Sequence, residues 1–299
     1  MKQSIKYYKV IDWMKYRYLY YVISLLFLIP GVISMFIFGF KPSIDFTGGT
    51  NWEIRFLDKN PTETQIYQAL EKTLDITAII RTDRNSFIIK TPPITSQQIQ
   101  IAKQALTQKI GPVKELRQET VGPILGKELL KKTIIAVILA STLILLYITF
   151  RFKDSLFGIS AILAMIHDSL ILLGAFSLLG HFYNVEVDIL FVTAVLTILS
   201  FSVHDTIVVY DRIREARRLY PKLSFKTLIN KAVTETWVRS LNNSLTIIFM
   251  LLALILLGGT TVKWFMVALL IGTISGTYSS TFTAAPLLYS MYLFKTRRR

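Results

Sequence analysis

The sequence lacks cysteine altogether and contains only three histidines in 299 residues. Without cysteine the chain can form neither disulfides nor thiolate metal sites, and its histidines do not form a convincing metal site. It also lacks a Gly-rich loop ending in Lys-Ser or Lys-Thr, a Ser-His-Asp motif and a metalloprotease motif. We therefore expect no metal, no cofactor and no enzymatic reaction, and any use of ATP would require another protein.

Acidic residues are also scarce, with 19 Asp and Glu against 34 Lys and Arg, and the formal net charge is +15. Such an excess is typical of proteins that bind nucleic acid or a membrane surface. Here the basic residues flank long apolar runs, and 52% of all residues are hydrophobic. The pattern favours contact with membrane lipids over contact with nucleic acid.

Six apolar runs approach the roughly 20 residues that a helix needs to cross a bilayer. They cover residues 18–38, 133–150, 156–179, 187–210, 241–257 and 264–289. The first run is too long for the core of a signal peptide, so we expect it to remain as a signal-anchor. The sequence thus predicts an α-helical multi-pass membrane protein with six transmembrane helices.

The basic residues lie on one side of this six-span arrangement. Both terminal tails and the second-to-third and fourth-to-fifth links carry Lys and Arg, whereas the two opposite short links contain only Lys263. Because Lys and Arg accumulate in cytoplasmic loops, we predict that both termini are cytoplasmic. The long segment after the first span would then be extracytoplasmic.

The predicted spans divide the chain into three parts. Residues 1–40 form a cytoplasmic tail and the first transmembrane helix, and residues 41–132 form an extracytoplasmic domain. Residues 133–299 form a five-helix transmembrane bundle with a basic cytoplasmic loop at 211–239 and a basic C-terminal tail.

The extracytoplasmic segment has the pattern of a small folded domain. Alternating apolar residues and amphipathic stretches predict two helices and four strands in the order strand, helix, strand, strand, helix, strand. The strands are predicted at 51–56, 78–82, 86–90 and 113–121, and the helices at 62–74 and 95–110. This order is that of an α+β ferredoxin-like domain.

Two aspartates lie within the apolar spans, Asp168 near the middle of the third and Asp205 in the fourth. An ionised carboxylate in hydrocarbon costs about 3 kcal/mol on insertion scales, so each needs a partner, water or a proton. Arg239 begins the fifth span at about the depth of Asp205 and stays charged, so it is the predicted counter-ion. We expect protonation of Asp205 to break this attraction and let the helices shift. The alternative is a static buried ion pair that fixes helix register.

Two histidines next to these acids allow two interpretations. His167 and His204 fit either a proton relay or satisfied polar packing. Asp168 is likewise either part of the proton path or a hydrogen-bonded packing residue.

Residues outside the apolar spans also allow two interpretations. Gly48 and Gly49 fit a flexible hinge between the first span and the external domain or an ordinary turn, because glycine accepts positive φ. The basic fourth-to-fifth link is a topology signal lying on anionic lipid in its simplest interpretation. Asp211, Arg212 and Arg214 within it are further candidates for coupling motion in the membrane to the cytoplasm.

Six ordered motifs, which cover nearly the whole chain, resemble those of the SecD/SecF family of protein-export membrane proteins. The first motif, Asp45-Phe46-Thr47-Gly48-Gly49-Thr50, follows the first span directly and resembles the signature that opens the family's external domain. The others are Val121-Gly122-Pro123 with Gly126, His167-Asp168, Asp205-Thr206 with Asp211-Arg212-Ile213-Arg214-Glu215, Arg239, and Gly276-Thr277-Tyr278-Ser279-Ser280.

This resemblance implies half of a bundle of the resistance-nodulation-division superfamily, placed in the bacterial cytoplasmic (inner) membrane. It implies that Asp205 and Arg239 act in proton transport, so that the proton-motive force assists Sec-dependent protein export. Sodium is the alternative coupling ion. The implied partners are SecD, the SecYEG channel, the SecA motor and emerging unfolded proteins, and YajC is a further candidate.

Two other functions stay open at this point. One is a subunit of a small-molecule or lipid exporter of the same superfamily. The other is a non-conducting structural scaffold of a membrane complex.

Overall fold

A computed structural model describes residues 10–152 and 154–297. Lys2, Lys6, Lys9, Lys153, Arg298 and Arg299, which contribute to the orientation prediction, lie outside the described residues. The chain divides into two compact units, which are described separately. Unit 1 comprises residues 1–41, 137–185 and 190–299, and unit 2 comprises residues 42–136 and 186–189.

The elements are numbered in chain order. The helices are α1 (Arg17–Ile37), α2 (Ile44–Thr47), α3 (Glu63–Leu70), α4 (Ser96–Lys109), α5 (Pro123–Arg151), α6 (Ser155–Tyr183), α7 (Ile189–Leu219), α8 (Phe225–Leu257), α9 (Thr260–Ser279) and α10 (Ala285–Arg297). The strands are β1 (Gly49–Phe56), β2 (Ala78–Asp83), β3 (Ser86–Thr91) and β4 (Val113–Val121). A 3-10 helix (Trp13–Tyr16) precedes α1, and a π-helical turn (Ser280–Ala284) joins α9 to α10.

Unit 2 contains the predicted α+β fold. Its four strands form one antiparallel sheet in the order β2-β3-β1-β4, and α3 and α4 supply the two helices of the split βαβ plan. The strands begin and end within two residues of the predicted bounds. The fold prediction for this part is confirmed.

Local sequence signals explain why these elements form. Trp52, Ile54 and Phe56 alternate along β1 and are fully or almost fully buried, as a strand with one face on a core requires. Thr62 and Thr95 close capping boxes at the starts of α3 and α4, which satisfy backbone N–H groups of the first helical turn. The α3 helix ends at Leu70, four residues before the predicted end.

Within residues 10–152 and 154–297, six helical segments are long and apolar enough to cross a membrane, as predicted. They are the helices running over Trp13–Ile37, Pro123–Arg151, Ser155–Tyr183, Ile189–Leu219, Phe225–Leu257 and Thr261–Arg297. The last of them is composite, because the π-helical turn interrupts it. In α1 and α5 most apolar side chains are exposed, as expected for helices that face lipid or another membrane protein.

The predicted basic loop at 211–239 is wrong as a loop. Helix α7 continues to Leu219 and α8 begins at Phe225, so only a short turn separates them. The helices continue because an apolar stripe does: Ile213 and Ala216 on α7 and Ile229 on α8 are buried. The apolar runs in the sequence do not reveal these helical extensions, because charged residues occupy the opposite faces.

Candidate functional site

The carboxylate of Asp168, on α6, is surrounded by hydrogen-bond donors. Its Oδ1 accepts from Ser275 Oγ at 2.7 Å and lies 3.0 Å from His167 Nδ1. Its Oδ2 accepts from Ser202 Oγ at 2.6 Å and from Ser279 Oγ at 2.5 Å. Asp168 is only 1% exposed, and its four donors match the acceptor capacity of an ionised carboxylate.

The carboxylate of Asp205, on α7, has a smaller set of partners. Its Oδ1 accepts from Ser240 Oγ on α8 at 2.7 Å, and its Oδ2 accepts from Ser280 Oγ in the π-helical turn. Asp205 is 7% exposed. Two donors leave part of its acceptor capacity unused, so this carboxyl has room for a proton or a water.

Neither acid has a fixed cation. Within the described ranges, no Lys or Arg nitrogen lies within 4.0 Å of the carboxylate oxygens of Asp168 or Asp205. A buried charge without a counter-ion depends on hydrogen bonds or on neutralisation by a proton.

The predicted contact between Arg239 and Asp205 is absent, which corrects the sequence analysis. Arg239 is exposed on α8, and its neighbour Ser240 is the residue that faces Asp205. Successive residues on an α-helix point about 100° apart, so Ser240 and Arg239 cannot face the same partner. Among the described residues, Arg239 forms no ion pair.

The two histidines lie in different environments. His167 is buried beside Asp168, and its Nε2 has no hydrogen-bond partner among the described residues. His204 is exposed on α7 and lines a cavity of about 310 Å³ with Tyr147 of α5. The structure therefore groups His167 with the acids and separates His204 from Asp205, although the two residues are adjacent in sequence.

Five serines contact the two carboxylates, and the sequence analysis assigned none of them a role. They are Ser202, Ser240, Ser275, Ser279 and Ser280. The i, i+4 spacing of Ser275 and Ser279 in an apolar helix is a signal that could have identified one hydroxyl face. The partners of that face could not be read from spacing.

The oxygen-rich surroundings of Asp168 are also of the type that hard cations take. Within the described residues, however, no group of three or more His, Cys, Asp and Glu lies close enough together to hold a metal ion. The sodium alternative therefore rests on the carboxylate and the serine hydroxyls alone.

The residues of the first signature motif form a packed structure within unit 2. Asp45 Oδ2 accepts a hydrogen bond from the backbone N–H of Ile189 at 3.1 Å, at the first residue of α7. Gly48 has φ 74°, and a Cβ built on it would lie 2.8 Å from Pro123 Cα. Gly49 has φ 137°, and its Cβ would lie 2.9 Å from the Thr91 carbonyl oxygen. This geometry is that of a packed turn, and the hinge role stays a prediction.

The candidate coupling residues form ion pairs at the ends of α5, α7 and α8. Arg151 donates to Asp211 at 2.5 Å, and Arg214 lies 3.4 Å from the same carboxylate. Arg212 lies 2.6 Å from Glu235 of α8 and 2.6 Å from a glutamate one turn along α7. These ion pairs connect three predicted spans. The coupling of membrane motion to the cytoplasm through these residues stays a prediction.

Two family profiles match the chain, one near its N-terminus and one over most of the remainder. The profile described as protein export membrane protein SecD/SecF, C-terminal, matches residues 101–293, and the SecD/SecF GG motif matches residues 33–56. The first profile alone covers more than half of the chain.

Individual relatives match along most of their length. Protein translocase subunit SecF of Thermobaculum terrenum is 43% identical over 298 residues, which cover 94% of each chain. Protein translocase subunit SecF of Anaerolinea thermophila is 39% identical over 280 residues, which cover 91% of each chain.

A solved structure agrees with these matches. The crystal structure of SecDF, a translocon-associated membrane protein from Thermus thermophilus, is 34% identical with a TM-score of 0.83. The match covers 95% of this chain but only 39% of that SecDF chain. On the strength of the profiles and the two nearly full-length relatives, this chain belongs to the SecD/SecF family of protein-export membrane proteins and is a protein translocase subunit.

Proposed function

We propose that this subunit uses proton movement through Asp205 to assist Sec-dependent protein export. The observation that carries the proposal is a buried carboxylate with two hydroxyl donors and no fixed cation among the described residues. A group in that position changes its interactions strongly when it takes up a proton, because the charge is poorly solvated.

Asp168 has a supporting role in this proposal. Its oxygens already accept from four donors, so its contacts hold α7 and α9 against α6. His167 and His204 remain proposed relay residues, with His167 in direct contact with Asp168.

In this proposal, Arg239 approaches Asp205 in a conformation that differs from the one described above. It stands next to Ser240, so a rotation of α8 by about 100° would exchange the serine hydroxyl for the guanidinium. Such an exchange would place a permanent positive charge near Asp205 and favour release of its proton.

The proposed setting is the bacterial cytoplasmic membrane, with both chain termini in the cytoplasm. The match to 39% of the SecDF chain supports a SecD chain as the partner of this subunit. SecYEG, SecA and YajC are proposed further partners. The ferredoxin-like domain would hold emerging unfolded chains outside the membrane.

The experiment measures proton flux and protein export in two sets of vesicles. Both contain SecD, one together with the wild-type chain and the other together with the Asp205→Asn variant. We expect Asp205→Asn to insert normally and to lose both proton flux and proton-linked export. Asp75→Asn, an exposed aspartate of unit 2, is the matched control and should behave as wild type. Wild-type flux and export in Asp205→Asn would disprove the proposal and favour a non-conducting scaffold.

Sodium is a second candidate for the coupling ion, and the oxygen donors around Asp168 favour testing it. Vesicles with an imposed sodium gradient and no proton gradient separate the two ions. Export driven by sodium alone, and lost in Asp168→Asn, would establish sodium. Accumulation of a small molecule in a deletion strain would instead support the exporter alternative.

A further inference from the structure

The last predicted span changes its helix type at the two acids. Helix α9 ends at Ser279, which donates to Asp168, and the π-helical turn begins at Ser280, which donates to Asp205. The two consecutive serines thus contact carboxylates on two different helices. π-Helical turns are rare and frequently lie at functional sites.

Helix α7 holds the turn at its other end as well. The hydroxyl of Tyr210, which is fully buried, donates to the carbonyl oxygen of Ala284 at 2.9 Å and also lies 2.7 Å from Ser160 Oγ. Ser280 and Ala284 are the first and last residues of the turn. The turn is therefore tied to α7 by one contact that depends on a titratable carboxyl and one that does not.

The middle of the turn belongs to an aromatic cluster. The ring of Phe282 lies 5.8 Å from Trp13, 4.8 Å from Tyr20, 5.2 Å from Trp237 and 5.2 Å from Tyr278. Trp13 and Trp237 also contact each other at 5.6 Å. Any displacement of the turn must therefore alter the packing of two tryptophans on other elements, since interiors are close-packed.

Two threonine hydroxyls beside the Asp205–Ser280 contact lack partners. Thr206 follows Asp205 and Thr281 follows Ser280; both residues are 1% exposed, and neither hydroxyl has a hydrogen-bond partner among the described residues. Removal of either hydroxyl therefore breaks no described hydrogen bond.

We propose that Ser280 is a positioning residue that couples the ionisation state of Asp205 to the π-helical turn and, through Phe282, to the aromatic cluster. The inference rests on the proposed function in one respect, the titration of Asp205. When Asp205 is ionised, the Ser280 hydroxyl donates to it and holds the turn. When Asp205 takes up a proton, its acceptor capacity falls, and Ser280 turns to the Thr277 carbonyl oxygen, which already lies 3.2 Å away.

Other titratable groups lie on the elements of unit 1, and the test must separate their effects from that of Asp205. Helix α6 contributes Asp168 and His167, and α7 itself contributes His204 and Tyr210. Helix α8 contributes Arg239 and Glu235, α9 and the turn contribute Lys263 and Tyr278, and Asp12 lies next to Trp13. Substitution of Asp205 alone assigns any response to it.

The four tryptophans of the chain make a direct test practicable. The 299-residue chain is labelled with 5-fluorotryptophan, assembled with unlabelled SecD in lipid nanodiscs, and followed by fluorine NMR between pH 8 and pH 5. Trp13 and Trp237 report on the cluster, whereas Trp52 in unit 2 and Trp264 are internal references. We expect the first two resonances to move with pH and the two references to stay in place.

Three variants give the decisive comparisons. Asp205→Asn should hold the two reporter resonances at their low-pH positions throughout. Ser280→Ala should abolish the pH-dependent movement, and Ser280→Cys, nearly the same in shape but a weak donor, should also reduce it. Thr281→Val is the matched control in the same turn, because it removes a hydroxyl without a described partner, and it should keep the wild-type response.

The outcomes distinguish this inference from the proposed function. Static reporter resonances in the wild type, a response that survives in Asp205→Asn, or a wild-type response in both Ser280 variants would each overturn the role of Ser280. Proton flux is measured on the same preparations. Flux that is lost in Asp205→Asn while the reporters never move would leave the proposed function standing and this inference refuted.

Discussion

Asp168 and Asp205 differ in how completely their oxygens are satisfied. Four donors surround Asp168, from α6, α7 and α9, whereas Asp205 has two, from α8 and the π-helical turn. A fully satisfied buried carboxylate stabilises one arrangement, whereas a partly satisfied one constrains its surroundings less. Two aspartates that look alike in an apolar sequence thus have different chemical properties.

Replacing each acid by its amide should reveal that difference in stability. Asparagine has half the acceptor capacity of a carboxylate and adds two donors, which face serine hydroxyls and an imidazole at position 168. We expect Asp168→Asn to destabilise the membrane unit by about 1–3 kcal/mol more than Asp205→Asn does, the usual range for buried donors left without acceptors. Unfolding of both variants in identical detergent micelles measures this difference in free energy. An equal loss, or a larger loss in Asp205→Asn, would contradict the more complete hydrogen bonding of Asp168.

Arg239 and Ser240 are neighbours in the chain, and substitutions at the two positions can be compared directly. In this conformation Ser240 contacts Asp205 and Arg239 is exposed. Arg239→Gln should change the free energy of unfolding by less than about 0.5 kcal/mol, as surface substitutions usually do, whereas Ser240→Ala should cost about 1 kcal/mol or more. If Arg239→Gln also stops export while unfolding is unchanged, Arg239 acts in another state of the cycle. A large loss of stability in Arg239→Gln would show a contact that this structure lacks.

At the scale of elements, the segment before α1 is docked on α8 by a small polar network. Asp12 accepts from Lys226 Nζ at 2.7 Å and from Asn230 Nδ2 at 2.8 Å, and Asn230 Oδ1 accepts from the Met14 backbone N–H. The Trp13 indole N–H donates to Thr234 on the same helix at 3.0 Å. These contacts position the tryptophan that packs against the π-helical turn.

The docking should depend on pH in a defined direction. The hydrogen bond from Lys226 is the main cause of the lowered pKa of Asp12. Burial, the next largest effect, raises this pKa, and the hydrogen bond from the Asn230 amide lowers it further. A lowered pKa stabilises the docked state above the pKa of the free aspartate, and that stabilisation is lost as the pH falls through the lower folded value. Docking should therefore be constant from pH 8 to pH 5 and weaken only below about pH 4.

Asp12→Asn isolates this contribution. The pair is largely exposed, so we expect its loss to cost only about 0.2–1 kcal/mol and to remove the acid dependence. Limited proteolysis before Trp13, compared with the Asp75→Asn control, provides the measurement. Weakening of wild-type docking already between pH 8 and pH 5 would contradict this explanation.

At the scale of the whole molecule, the two units have separate hydrophobic cores. The core of unit 2 comprises side chains from its sheet, from α3 and α4 and from Leu74 after α3, including Trp52, Phe87 and Leu106. The buried side chains of unit 1 belong to the spans and are rich in serine and threonine as well as in apolar residues. Damage to one core should therefore leave the other intact.

Phe87→Ala tests this independence. The ring is fully buried, and its loss should cost about 3–5 kcal/mol, enough to unfold a small domain at moderate temperature. We expect the emission of Trp52 to show early unfolding of unit 2 while the helical signal of the spans keeps its wild-type midpoint. Ile89→Val, a milder change in the same strand, should cost only about 0.5–1.5 kcal/mol. A common shift of both signals would contradict separate cores.

Much of this architecture is predictable because its causes are local. Hydrophobic runs of sufficient length identify the six spans, and alternating residues with capping threonines identify the strands and helices of unit 2. The continuation of α7 and α8 beyond the predicted spans was not predicted, because charged residues interrupt the apolar runs there and leave only a one-sided apolar stripe.

The amino-acid sequence by itself thus determined the fold class, the number of spans and the location of two intramembrane acids. Only the tertiary structure decided what those acids touch. The position of a residue in the chain sets its depth along a helix, but the direction of the side chain changes by about 100° at each residue. Depth alone therefore predicted that Arg239 contacts Asp205, whereas in the structure its neighbour Ser240 does. The π-helical turn that presents Ser279 and Ser280 to two different carboxylates depends on contacts from other helices, which no local pattern contains.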